Sequence, residues 1–110
     1  MKDFLILFRE PDGRMDVHSD EDNRAHQQKV KEWMEPLIAS GNLNGGRGLT
    51  LNGRVIDTKG EVRNDIYKVG REIVGGYMLL KSNDLNQATE IMKSCPVLDR
   101  GGFAEIREVM

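Results

Sequence analysis

The chain has 110 residues, of which 38% are hydrophobic and 31% charged, and its formal net charge is −2. That length holds one compact domain, taken here as residues 1–110, and so mixed a composition excludes a disordered or low-complexity chain. Lys/Arg and Asp/Glu are interspersed, which leaves no basic stripe for nucleic acid, and no apolar run approaches the ~20 residues that span a bilayer.

A strand is predicted at 4–8, where Phe4-Leu5-Ile6-Leu7-Phe8 is apolar at odd and even positions alike. Such a strand buries both faces and belongs in the middle of a sheet. Pro11-Asp12-Gly13 is a turn signal, and the polar stretch 14–22 reads as an exposed connection. A helix follows over 21–40, with His26, Val30, Trp33, Met34, Leu37 and Ile38 on one face at three- and four-residue spacings. Ser19 with Asp22 caps its start and Gly41 ends it, whereas Pro36 predicts a kink or an earlier boundary.

Short strands at 48–51 and 54–58 are joined at Asn52-Gly53, a two-residue hairpin signal. Over 73–81 apolar residues again occupy both parities, and Gly75-Gly76 predicts a bulge or a close backbone approach. Asp84 caps a second helix whose buried stripe is Leu85, Ala88, Ile91, Met92 and Cys95, and Pro96 stops it. The last strand, 103–109, sets Ala104 and Ile106 against Glu105 and Arg107.

The order of elements matches an α+β, ferredoxin-like plan, an antiparallel sheet with both helices on one face. Two helices leave the other face bare although two strands look apolar on both sides, and monomers rarely expose so large a patch. A homodimer with the two sheets facing one another is therefore expected. Cys95 is alone and distant from His18 and His26, so neither an internal disulfide nor a metal site is expected. Asp3 directly after Lys2 spoils a signal-peptide pattern, and the cytoplasm is the expected compartment.

Several passages together resemble the YCII-related family, particularly its DGPF-domain branch, over nearly the whole chain. They are Phe4-Leu5-Ile6-Leu7; Leu37-Ile38-Ala39-Ser40-Gly41 followed by Gly45-Gly46 and Gly48-Leu49; Arg71-Glu72-Ile73-Val74-Gly75-Gly76-Tyr77; and Cys95-Pro96 with Gly101-Gly102-Phe103-Ala104-Glu105-Ile106-Arg107. The chain departs from the branch at Asn64-Asp65-Ile66-Tyr67, which stands where the naming tetrapeptide would be. The resemblance implies a dimeric α/β barrel related to small-ligand binders and cofactor-free isomerases and oxygenases.

His26 leads the candidate site residues, because imidazole titrates near neutrality and this one begins the inward helix face. The resemblance implies a histidine here as half of a His-carboxylate pair; the alternative is a half-buried histidine bonded to the backbone. Glu10 is the best-placed carboxylate, with Asp12 and Asp16 behind it. Glu105 and Arg107 share one side of the last strand, where Arg107 would grip a substrate carboxylate and Glu105 move a proton, unless they form an ordinary salt bridge. Arg9 and Tyr77 are candidates to line the same space.

Gly45-Gly46-Arg47-Gly48 lacks the ending and the helix of a phosphate loop and reads as a strand entry, and Cys95 belongs to the core. Two functions follow. One is a cofactor-free enzyme doing His-carboxylate acid/base chemistry on a small organic molecule; the other is a non-catalytic small-ligand-binding or regulatory module.

Overall fold

The computed structural model describes residues 1–12 and 19–110. His18, Asp16 and the first part of the predicted connection lie outside the described residues. The main sheet is four-stranded and antiparallel, with β1 (Lys2–Pro11), β2 (Leu43–Gly48), β5 (Glu72–Ser82) and β6 (Phe103–Glu108) in the order β2-β5-β1-β6. The doubly apolar segments, β1 and β5, are indeed the central pair. With helices α1 (Asp20–Ala39) and α2 (Leu85–Met92), this is the expected ferredoxin-like α+β arrangement.

Helix α1 starts where Ser19 Oγ accepts from the Asp22 N–H at 3.0 Å, behind a first turn of Asp20, Glu21 and Asp22 that suits the helix dipole. It runs through Pro36 to Ala39, so the boundary is not shifted. Pro36 is exposed, which leaves water to satisfy the carbonyl whose helical donor the ring removes. Gly41, at φ 81°, takes the left-handed conformation that ends the helix. Asp84 Oδ1 accepts from the Gln87 N–H at 2.8 Å, and Gln87 Oε1 accepts in turn from the Asn83 N–H at 2.6 Å, a reciprocal cap on α2. Beyond α2, Pro96 opens a short 3-10 turn, Pro96–Arg100.

The core lies between the helices and one sheet face: Phe4, Ile6, Phe8, Leu43, Met78, Leu80, Ala88, Met92 and Cys95 are buried together. Burying each large side chain there contributes about 1.5–3 kcal/mol. Ser82 is also buried, with its hydroxyl donating to the Asp84 carbonyl at 2.8 Å. Burial pushes the Cys95 thiol above its ordinary value, because the low-dielectric core disfavours the thiolate.

Three details of the sequence reading are corrected. Leu85, assigned to the buried stripe of the second helix, and Ile38, assigned to the apolar face of the first, are both exposed. The hairpin after β2 turns at 57–60, not at Asn52-Gly53: β3 (Val55–Ile56) pairs with β4 (Val62–Arg63), and Asp57 Oδ1 accepts from the Lys59 and Glu61 N–H groups at 2.8 and 2.9 Å. The Asp57 side chain provides a turn closure stronger than the dipeptide signal. Finally, the glycine-rich residues 45–48 lie inside β2 instead of leading into it.

Candidate functional site

Strand β1 separates two chemistries because successive side chains leave opposite faces. Phe4, Ile6 and Phe8 enter the core, and the same parity continues to Glu10. Leu5, Leu7 and Arg9 go to the other, open face, opposite Arg107, Glu105 and Phe103 of β6. Tyr77 of β5 pairs with Leu7 and shares that open face. The candidate residues therefore divide across the sheet: Arg9, Tyr77, Glu105 and Arg107 on one side, Glu10 on the other with the helices.

On the open face, Arg9 Nε lies 3.1 Å from Glu105 Oε1, Arg9 Nη1 3.8 Å from Glu72 Oε1, and Arg107 Nη1 3.6 Å from Glu105 Oε2. Two guanidiniums face two carboxylates, so the formal charges cancel within the cluster. Arg9 is thus engaged on both sides by carboxylates. Around it are partly or fully exposed apolar side chains, Leu5, Leu7, Val74, Leu79 and Phe103. A 550 Å³ recess separates this face from the excursion that carries β3 and β4, with Arg9, Glu72 and Val74 on one wall and Val55, Ile66 and Tyr67 on the other.

On the helix-covered face a cavity of 240 Å³ opens between α1 and the sheet. Glu10 lines it together with Phe8 and Met78 from the sheet, Val30 and Met34 from α1, and Val97. The backbone makes room for Glu10. β5 skips one residue opposite β1, pairing Gly76 with Phe8 and Val74 with Arg9, so Gly75 forms the bulge predicted from the sequence. A Cβ on Gly75 would overlap the Glu10 carboxylate, and one on Gly102 would stand 3.3 Å from Glu10 Cβ and 2.5 Å from the Arg9 carbonyl oxygen.

His26 is half-buried on α1, one turn before Val30 and on the same helix face. The start of this helix is held by Arg100, whose Nη1 donates to Asn23 Oδ1 at 2.8 Å and Nη2 to the Asp22 carbonyl at 3.1 Å. Gly101 and Gly102 continue from Arg100 to Glu10. The first turns of α1 and the C-terminal end of β1 thereby share one end of the molecule. Asp12, a second carboxylate candidate, accepts an ion pair from Lys68 Nζ at 3.1 Å.

Sequence reasoning missed Glu72, the second carboxylate on Arg9, and the glycines that shape the covered cavity. Strand alternation counted on from Phe8 was the available signal for which face Glu10 takes. The pairing of β2 with β5, which is what brings the glycines together, left no local trace.

A family model described as the YCII-related domain matches residues 3–110. No curated protein matches the chain. Among solved structures the chain is similar to 5-chloro-2-hydroxyhydroquinone dehydrochlorinase from Burkholderia phenoliruptrix AC1100, in complex with 2,5-dihydroxybenzoquinone, at 12% identity and a TM-score of 0.48, with 92% of this chain and 90% of that chain covered.

Proposed function

The chain belongs to the YCII-related domain family, and we propose that it is a cofactor-free enzyme in which Glu10 and His26 carry out acid/base chemistry on a small organic molecule. The observation that supports this reading most directly is the Glu10 carboxylate in the cavity under α1, given its space by Gly75 and Gly102. The face of β1 that reads Phe4, Ile6, Phe8 ends in a carboxylate where another apolar side chain would pack. A carboxylate bordering a cavity lined by Phe8, Val30, Met34 and Met78 is a proton acceptor in reach of a bound molecule, which favours a chemical role for this position.

In this mechanism Glu10 takes a proton from an acidic C–H or O–H of the bound molecule. The electron pair left behind either stays on the substrate as an enolate or expels a leaving group as its anion. His26 gives a proton to that enolate or anion, and solvent restores both residues. Positioned proton transfer of this kind accelerates a reaction by about 10²–10⁴-fold.

A homodimer forms over the open sheet face. Its support is the apolar group Leu5, Leu7, Val74, Leu79 and Phe103 around a charge-neutral cluster. Arg9, Glu105, Arg107 and Tyr77 then act in subunit contact, where a neutral cluster loses little on burial if its pairs stay intact. Among the described residues no helix is long and apolar enough to cross a membrane. The buried, unpaired Cys95 suits the reducing cytoplasm, in which we place the protein.

The test incubates the protein in D₂O with a mixture of small enolisable and hydroxylated compounds and follows deuterium uptake or consumption by mass spectrometry. The wild type is expected to change at least one compound, and Glu10→Gln or His26→Ala to slow that change at least ~100-fold. A mixture left untouched by the wild type overturns the catalytic reading in favour of the non-catalytic binding module, and so does an unaltered rate in both variants.

A further inference from the structure

Resting on the reading of Glu10 and His26 as the acid/base pair, we infer that Arg100 is the positioning residue that holds His26 against Glu10. Helix α1 needs such a tie. None of its residues is fully buried, so its apolar face packs on the sheet only in part, and hydrophobic contact is non-directional. Packing of that kind keeps the helix near the sheet without fixing its place along the sheet to the precision that proton transfer requires.

Directional contacts fix that place. Arg100 Nη2 donates to the Asp22 carbonyl at 3.1 Å, and in an α-helix that carbonyl is also the acceptor for the His26 N–H. Arg100 Nη1 donates to Asn23 Oδ1 at 2.8 Å, and Asn23 stands one turn before His26 on the same helix face. Both prongs of one guanidinium therefore land on the turn that carries His26. A planar fork sets orientation as well as distance, which the point charge of a lysine ammonium does not.

The backbone of Arg100 is fixed in turn beside Glu10. Gly101 turns the chain through the left-handed region at φ 86°. Gly102 then lies so close to β1 that a Cβ there would stand 2.5 Å from the Arg9 carbonyl oxygen and 3.3 Å from Glu10 Cβ, and Phe103 enters β6 opposite Arg9. On the other side, the turn Pro96–Arg100 starts from the buried Cys95, whose carbonyl accepts from the Leu98 N–H at 3.1 Å. The core and the strand that carries Glu10 thus set Arg100, and its side chain passes that position on to His26. A second tie, Trp33 Nε1 donating to Ser94 Oγ at 3.0 Å, lies about 15 Å farther along α1 than Asn23 and provides the control.

The test compares the wild type with Arg100→Gln, Arg100→Lys, Ser94→Ala and the double variant Arg100→Gln/His26→Ala. The readouts are amide hydrogen exchange and steady-state turnover of a compound that the wild type changes. In Arg100→Gln the amides of residues 23–26 are expected to exchange at least ~10-fold faster, with those of β5 unchanged. Its kcat is expected to fall at least ~10-fold with KM within about twofold, because a misplaced His26 affects the transition state and not binding. Arg100→Lys should recover little of that loss, and Ser94→Ala, which loses the other tie, should keep kcat within about twofold of the wild type. Because Arg100 acts through His26, Arg100→Gln should cost less than about twofold once residue 26 is alanine. Unchanged exchange at 23–26 in Arg100→Gln, a kcat loss matched by Ser94→Ala, complete recovery in Arg100→Lys, or a full second loss in the double variant overturns the inference. The two readings fail separately. Faster exchange at 23–26 in a protein that turns over no compound removes the acid/base reading and keeps the hold of Arg100 on α1. Turnover that depends on His26 and is untouched by Arg100→Gln does the reverse.

Discussion

The two faces of one sheet contrast in how they treat charge and space. On the open face Arg9, Glu72, Glu105 and Arg107 answer one another within 3.1 to 3.8 Å, and the apolar residues around them stay in contact with solvent. On the covered face the side chains are almost entirely apolar, the packing is dense at Phe4, Ile6 and Leu80, and one carboxylate, Glu10, borders a cavity floored by glycine. Abundant charge is therefore a poor guide to the site in this fold. The ion-paired cluster fits subunit contact, and the carboxylate that borders the cavity under α1 fits chemistry.

The sharpest way to break this contrast is truncation on either side of β1. Phe4→Ala removes a fully buried ring and is expected to lower the unfolding free energy by about 3–5 kcal/mol. Leu5→Ala, its neighbour on the open face, should cost less in dilute solution and show its remaining effect as weaker self-association. Chemical denaturation at two protein concentrations separates the two. Equal, concentration-independent losses would refute the division of labour between the faces.

Next in size is the charge cluster. If a second copy covers it, Arg9→Ala leaves Glu72 and Glu105 facing each other in the interface, and the dimer dissociation constant should rise at least ~10-fold, equivalent to about 1.4 kcal/mol. Sedimentation velocity reads this directly. The fold of the subunit should be little affected, because half-exposed ion pairs contribute only about 0–1 kcal/mol each. Unchanged self-association would remove the open face from the interface.

A smaller effect is expected at the edge of the covered layer. Asp84→Ala withdraws the cap from α2 and should cost about 1 kcal/mol in thermal or denaturant unfolding. The smallest is a pH effect at Cys95. Burial raises this thiol above its ordinary value of 9.0 in the folded chain, so the folded state holds the proton more tightly than the unfolded one. Its contribution is complete below pH 9.0 and is lost as pH rises toward the folded value. The alkaline decline in stability should therefore be shallower in Cys95→Ala than in the wild type, although Cys95→Ala is less stable at neutral pH.

Much of this protein was legible in the sequence because its determinants are local. Periodicity and caps located both helices, doubly apolar runs identified the two central strands, and Gly75-Gly76 announced the bulge. The hairpin was misread because Asn52-Gly53 is the stronger dipeptide signal, while the Asp57 side-chain bonds that close the actual turn depend on the conformation of several residues at once. Alternation along β1 and β6 placed Glu105 and Arg107 together and away from the helices.

What the amino-acid sequence determined by itself was the two helices and the two central strands, the family and the types of residue available for chemistry. Only the tertiary structure decided which of them meet. The pairing of Arg9 with Glu105 spans 96 positions, and the glycine floor of the cavity exists because β2 lies against β5 in one register. Contacts of that kind are fixed by chain topology and by the packing of distant segments, so no window of neighbouring residues carries them.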